Sequence, residues 1–210
     1  MKLAKESFRF LLPLILLSGI AALLSPVWLF PLLGLVGATA FFFRDPVRAI
    51  EPSEKDILSP ADGTIRSITS LKETPELKTS SQVVSIYLSL LDVHVNRLPV
   101  AGQIQRILYQ PGRFAMAFRE EALTHNENNL IVLKNERITL MVRQIAGWLA
   151  RRIVCDWKEG DQVRQGERLG IIQFGSCVQL YLPETVSIQV KVGEKVKGGL
   201  TVIGTLKGTN

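Results

Sequence analysis

The sequence predicts a mostly β domain, a compact sandwich or barrel, preceded by an apolar helical hairpin. Three observations predict this class. Residues 10–43 carry no charged side chain. After residue 55, short segments rich in β-branched and aromatic residues alternate with turn residues. A glycine-acid pattern then occurs twice, and such repetition reveals architecture. The chain of 210 residues is long enough for one such domain and an appendage.

The uncharged run is too long for one spanning helix of about 20 residues and too short for two. Because Ser25-Pro26 and Pro31 interrupt it, we expect two apolar arms, residues 10–24 and 27–43, that span a bilayer obliquely or dip into one leaflet. A cleavable signal peptide would have a single short apolar region. Basic residues flank the run on both sides, which by the positive-inside tendency keeps the rest of the chain on the cytoplasmic side of the cell membrane. These residues are Lys2, Lys5, Arg9, Arg44 and Arg48.

We therefore divide the chain into a membrane-association segment, residues 1–48, and a β-rich domain, residues 49–210. A polar linker with two prolines, residues 44–55, joins them. We expect helix in the β-rich domain only as one short turn near residues 113–123.

The repeat has the form G-[DE]-x-V-x-x-G, in "GDQVRQG" at residues 160–166 and "GEKVKGG" at 193–199. In each copy a glycine-acid turn precedes a strand and a second glycine makes the next turn. Biotinyl and lipoyl carriers are built from such paired hairpins. A carrier needs a lysine at the tip between the copies, where this chain has Gly175-Ser176. The pattern therefore indicates a carrier-like fold without the carrier function.

The net charge of +6 comes from dispersed basic residues, which argues against a nucleic-acid-binding arm. A basic domain suits an anionic membrane surface, and equally an ordinary soluble domain. Cys155 and Cys177 lack zinc-ligand spacing, so we expect no metal site and two buried, reduced thiols.

The segment "QFGSCVQLYLP", residues 173–183, predicts a strand with Gly175 and Ser176 at its entrance. A serine there is most often a turn residue. The pattern also lacks the G-x-S-x-G elbow of α/β-hydrolases.

Two other segments carry residues that activate nucleophiles. In "SPADGTI", Asp62 is a turn residue or a carboxylate able to orient a histidine. In "YLSLLDVHVNRLPVAG", His94 lies two residues after Asp92 and two before Asn96, so the three can share a strand face. His94 is a structural histidine or, with an aspartate and a serine, part of a nucleophile-activating set.

Further polar residues lie in "THNENN" and "GWLARRIV". We expect the first, with His125 and Asn126, to form a loop. In the second, Arg151 and Arg152 point to opposite faces of a strand, so one faces inward to bind an anion or to form a structural ion pair.

Taken in order, these motifs resemble the pyruvoyl-dependent phosphatidylserine decarboxylases in their short bacterial and archaeal form. The resemblance covers nearly the whole chain. It rests on the apolar N-terminus with "FFFRDPVR", then "SPADGTI", "YLSLLDVHVNRLPVAG", "HNENN", "AGWLARRI", "GDQVRQGERLGIIQFGSCVQLYLP" and "VKVGEKVKGG".

The resemblance implies that the chain cuts itself between Gly175 and Ser176. The β fragment, residues 1–175, and the α fragment, 176–210, would stay together as a heterodimer or a higher oligomer. Ser176 would become a covalent pyruvoyl group that forms a Schiff base with phosphatidylserine. The products would be phosphatidylethanolamine and CO₂, with no metal. His94 is then our candidate proton donor, and Asn126, Arg151 and Arg152 are candidate contacts for the lipid.

One departure concerns the second histidine of longer family members, which occupies the position of Arg97. In those members it acts in self-cleavage with the aspartate that matches Asp62. Arginine cannot be a general base at neutral pH, so His94 does both tasks or another route is used. Three alternatives stay open: decarboxylation of archaetidylserine, a pyruvoyl decarboxylase for a soluble amino acid, and a non-enzymatic membrane-anchored β-sandwich module.

Overall fold

The computed structural model describes residues 2–72, 74, 77, 79–113, 123, 125–147, 152–173 and 176–207. Their contacts divide the chain into two compact units, Met1–Val47 and Arg48–Asn210. We call them the N-terminal unit and the β domain.

The N-terminal unit is a pair of apolar helices, α1 (Phe8–Leu24) and α2 (Leu29–Phe42), which confirms the predicted hairpin. Short 3₁₀ turns, Lys5–Ser7 and Pro26–Trp28, precede each helix. α1 ends because Ser25 is extended, as expected for a residue before proline. Two short strands, β1 (Lys2–Leu3) and β2 (Arg44–Asp45), pair antiparallel at the base of the hairpin.

Most large apolar side chains of these helices are exposed, among them Leu16, Leu23 and Phe30. Within the described part of the chain, one helical stretch, Lys5–Leu24, is long and apolar enough to cross a bilayer, and Pro26–Phe42 is shorter. An exposed apolar surface of this size is unusual in a soluble domain and marks an interaction surface.

The β domain contains one eight-stranded sheet and two three-stranded sheets, so the predicted mostly β class is confirmed. The large sheet curls into a half-barrel and has the order β11-β7-β8-β9-β13-β5-β4-β15. The small sheets have the orders β10-β12-β6 and β14-β16-β3. The strands are β3 (Asp56–Leu58), β4 (Gly63–Leu71), β5 (Ser81–Leu88), β6 (Val95–Arg97), β7 (Gly102–Gln110), β8 (Asn128–Lys134), β9 (Thr139–Ala146), β10 (Ile153–Cys155), β11 (Gln162–Val163), β12 (Arg168–Ile172), β13 (Ser176–Pro183), β14 (Val186–Ile188), β15 (Lys195–Val196) and β16 (Val202–Leu206).

The strand order is symmetric about the β9–β13 pair. β4 and β7 carry matching bulges, and the registers of the flanking strands then make Leu180 the equivalent of Val142, the residue it faces. The repeated glycines have matching backbone angles: φ is +91° at Gly160 and +89° at Gly193. The second glycines of the two copies also match, at +78° and +74°. The β domain is therefore an internal duplication. The repeat found in the sequence is the portion of that duplication that sequence similarity still shows.

The two halves differ in one connection. In one half, a short turn at residues 135–138 joins β8 to β9. In the other half, the equivalent strands β5 and β13 are separated by residues 89–175, which contain the whole first half. Ser176 therefore begins its strand at the point where one half ends and the other resumes.

Alternate residues of the central strands face the main apolar core between the large and small sheets. A smaller apolar cluster of Val83, Val132, Met141 and Tyr181 lies on the other face of the large sheet. In β13 these are Val178, Leu180 and Leu182, and in β9 they include Val142 and Ala146. The helical turn predicted near residues 113–123 lies almost entirely outside the described residues.

Candidate active site

Ser176 lies in the middle of the large sheet, at the first position of β13. It is paired with Leu88 of β5 on one side and with Ala146 of β9 on the other. The residue is fully buried, and its Oγ has no hydrogen-bond partner among the described residues. A buried polar atom without a partner costs about 1–3 kcal/mol, so it requires an explanation other than stability. Gly175 lies outside the described residues.

Ser176 and Cys177 face opposite sides of the sheet. Val178, two residues after Ser176, faces the core, so the Ser176 side chain lies on that side too. Burial raises the pKa of the Cys177 thiol to about 12, although nearby Arg143 acts to lower it. The thiol is therefore protonated at neutral pH and is a poor nucleophile.

His94 is fully buried immediately before β6. Its Nδ1 lies 3.0 Å from the backbone oxygen of Asp92. Because a carbonyl oxygen can only accept, Nδ1 carries the proton, and Nε2 of the neutral ring is the atom that can take one.

The position of Asp92, two residues before His94, suggested that its carboxylate orients the histidine ring, but the carboxylate binds Ser89 instead. It accepts hydrogen bonds from the backbone N–H and the hydroxyl of Ser89, at 2.8 and 2.7 Å. It therefore closes a turn, and only its backbone oxygen orients His94.

Two connections bring His94 and Ser176 to the same end of the core. The backbone N–H of Ile172 donates to the oxygen of His94 at 3.3 Å, and Ser176 follows four residues later, a span of at most about 14 Å. In addition, Gln144 Nε2 donates to Asn96 Oδ1 at 2.8 Å. Gln144 is two residues from the partner of Ser176, and Asn96 is two residues from His94.

Asp62 lies in the turn before β4, two strands away from Ser176. Strand register aligns Thr64 with Tyr87 and Tyr87 with Cys177, the residue after Ser176, which places the Asp62 turn about 10 Å from the serine. One carboxylate oxygen of Asp62 pairs with Arg48 at 2.8 Å, and the other accepts from the Gly198 N–H at 2.8 Å.

The Arg48 guanidinium also donates to the Gly198 carbonyl oxygen. Among the described residues, Asp62 is therefore held by Arg48 and Gly198, whereas its chemistry suggested a histidine partner. Arg97 lies close to Asp62, since the backbone N–H of Arg97 donates to the backbone oxygen of Pro60 at 2.8 Å. Its side chain extends to the oxygen of Gly166 at 3.2 Å.

Of the candidate lipid contacts, Asn126 is buried beside the serine. Its Nδ2 donates at 2.7 Å to the backbone oxygen of Ala146, the residue opposite Ser176. Arg152 is exposed, and its backbone oxygen accepts from the N–H of Gln173 at 3.1 Å. Arg151 lies outside the described residues.

Several buried amides of this region were not among the candidate residues read from the sequence. Gln144 and Gln173 were not singled out, and Asn128 and Asn129 end the "THNENN" segment that was expected to be a loop, whereas they begin β8. Each of the four is less than one tenth exposed. The available signal was a polar amide at a core-facing position of an apolar strand, as in "MVRQIAG". Within the described ranges, no three His, Cys, Asp or Glu side chains form a metal-binding group.

The ion pair between Arg48 and Asp62 yields a stability prediction. Both side chains are largely buried, with 6% and 14% exposure, so Arg48→Ala would leave a carboxylate without its charge partner and should cost about 3 kcal/mol. The matched control is Arg137→Ala, because the pair between Arg137 and Glu54 is exposed and should contribute about 0–1 kcal/mol. The measurement is the free energy of unfolding in urea, and equal losses for the two variants would contradict the burial argument.

Comparisons with known proteins agree with this geometry. The model of the phosphatidylserine decarboxylase family matches residues 36–204. A phosphatidylserine decarboxylase proenzyme of Carboxydothermus hydrogenoformans is 45% identical over 206 residues, which cover 97% of this chain and 96% of the relative. Proteins of the same name from Magnetococcus marinus and Pelodictyon phaeoclathratiforme are 38% and 39% identical. They cover 98% and 87% of this chain, and the matches span 95% and 88% of the relatives. The chain therefore belongs to the phosphatidylserine decarboxylase family.

Proposed function

We propose that this protein is a self-processing, membrane-associated decarboxylase that converts phosphatidylserine to phosphatidylethanolamine. The name of its relatives supports the reaction, and the word proenzyme supports activation by cleavage. The single observation that carries the proposal is the buried, unpartnered hydroxyl of Ser176. If the only role of this strand residue were packing, an apolar side chain at the position would make the domain more stable.

In the first stage, Ser176 Oγ attacks the carbonyl carbon of Gly175. The new C–O bond replaces the C–N bond, the Ser176 nitrogen gains a proton, and an ester results. Elimination then releases the Gly175 carboxylate and leaves a dehydroalanine, which water converts to a pyruvoyl group and ammonia. Proximity makes the attack unimolecular, which can supply about 7–11 kcal/mol of the barrier.

We assign the base for this attack to His94. Its Nε2 is the proton-accepting atom of the neutral ring, and Arg97 cannot take that role. Asp62 is a positioning residue in this proposal. It connects the turn before β4 to Gly198, which belongs to the other fragment after cleavage.

The strand pairing explains how the fragments would stay together. β13 is hydrogen-bonded on both edges, to β5 and β9, so the α fragment contributes a central strand of the sheet. β15 and β16 pair with β4 and β3 of the β fragment. We therefore infer an α/β heterodimer held without a covalent link.

A pyruvoyl group at position 176 would suit this buried region, because it presents only oxygen acceptors and the buried Nδ2 of Asn96 has no acceptor among the described residues. When formed, it would supply the electrophilic carbonyl that holds the substrate amine and accepts the electron pair released with CO₂. His94 would then return a proton to the reacting carbon. Asn126 and Arg152 are proposed to bind the lipid headgroup, with Arg151 as a third candidate.

The substrate has two acyl chains, so the enzyme must work at a bilayer. The exposed apolar helices of the N-terminal unit support attachment to the cell membrane. Basic residues on both sides of the apolar run support a catalytic domain on the cytoplasmic side.

The variant Ser176→Ala should remain a single inactive chain, because it lacks the attacking oxygen. The matched control is Cys177→Ala, whose side chain lies on the opposite face and should not affect cleavage. A denaturing gel of freshly purified protein reports both results. Active wild-type protein that remains uncut, or a cleaved Ser176→Ala chain, would refute the proposal.

The variant His94→Ala should lower lipid turnover at least about 100-fold even in the fraction of protein that has been cleaved, since the loss of a general acid costs about 10²–10⁴-fold. Turnover is measured as CO₂ release per mole of α fragment, which separates catalysis from processing. Complete cleavage together with normal turnover would remove His94 from the mechanism.

A further inference from the structure

Three buried amide side chains form a directed series in the core. Asn129 Nδ2 donates to Gln144 Oε1 at 3.3 Å, and Gln144 Nε2 donates to Asn96 Oδ1 at 2.8 Å. Their exposures are 3%, 0% and 0%. Each amide thus fixes the orientation of the next, and Asn96 is the last member.

The series ends on a donor without an acceptor. Because Asn96 Oδ1 accepts from Gln144, its Nδ2 points away, and that atom has no hydrogen-bond partner in the described part of the chain. Ser176 Oγ is another buried atom without a partner. An oriented donor that is desolvated before any ligand arrives is typical of a site that binds developing negative charge.

The duplication provides an internal comparison for these positions. Asn96 opposes Gly170 in one small sheet, as Ile57 opposes Gly204 in the other. Likewise, the symmetry of the β9–β13 pair makes Leu182 the equivalent of Gln144. Ile57 and Leu182 are fully buried members of the apolar core. The fold therefore accepts an apolar pair at these two positions. The polar pair occurs only in the half that contains β9, the strand paired with β13 at Ser176.

The register puts the donor near the serine. Gln144 of β9 is paired with Val178 of β13. Two residues further along β9, Ala146 is paired with Ser176. Both side chains of each pair lie on the core face. The bond to be cut ends at the Ser176 nitrogen, which belongs to this end of the core.

We propose that Asn96 is a catalytic residue of self-cleavage, whose Nδ2 stabilises the oxyanion formed on the carbonyl preceding Ser176. As Oγ bonds to the carbonyl carbon, the π electron pair moves onto the carbonyl oxygen, and Nδ2 donates a hydrogen bond to it. The pair returns when the C–N bond breaks and the nitrogen takes up a proton. Gln144 is the positioning residue. This inference rests on the proposed function, since it requires cleavage at position 176.

The test is the double variant Asn96→Ile/Gln144→Leu, which recreates the apolar pair of the other half. We expect it to fold, with a melting temperature lowered by the loss of the Asn129 acceptor, and to cleave itself about 10²–10³-fold more slowly, the usual effect of removing one such donor. Cleavage is followed on a gel during synthesis of the full chain. The control is Gln179→Leu, a buried amide of β13 on the other face, which should cleave at the wild-type rate.

A folded double variant that cleaves at the wild-type rate overturns the inference. If that variant does not fold, Asn96→Asp decides, because an ionised carboxylate of the same size still accepts from Gln144 but cannot donate. Slow cleavage of folded Asn96→Asp supports the inference, and normal cleavage overturns it. A wild-type chain that never cleaves would instead refute the proposed function.

Discussion

The pairing of β13 with β5 and β9 is the constraint on which the rest of the structure depends. It buries Ser176 at the head of a central strand, with its hydroxyl turned into the core. The same pairing holds the strand Ser176–Pro183 in the large sheet through hydrogen bonds on both edges. A break before Ser176 would therefore alter the chain without removing a strand from the domain.

The duplication explains why such a break is tolerable at this position. In one half, the central strands are joined by a tight turn, and in the other half that turn is replaced by the inserted half. Between β12 and Ser176 the chain passes from one half of the duplication to the other, and the register of β13 is set by its pairing with β5 and β9. The Asp62–Gly198 contact and the Arg48 bridge provide a second link between the segments on either side.

Much of the fold could be predicted because its signals are local. The absence of charge over residues 10–43 predicted the helix pair, and the pattern G-[DE]-x-V-x-x-G marked the repeat, whose glycines have positive φ. The partners of functional residues are long-range, and sequence alone did not reveal them. Gly198 lies 136 residues and Arg48 14 residues from Asp62 along the chain. The fact that Asp92 serves a turn depends on the orientation of Ser89. Gln144 escaped notice because a single polar residue inside an apolar strand has no pattern of its own. Asn129 was misassigned because the polar run "THNENN" indicates a loop, whereas β8 begins inside it, at Asn128.

The central claim is that the chain converts Ser176 into a ketone at a new chain end. The most direct measurement is the intact mass of the small fragment isolated from active protein. The account predicts a fragment that begins at position 176, lighter by one ammonia than the serine-initiated peptide and resistant to Edman degradation. A fragment with the full serine mass and a free amine would contradict it.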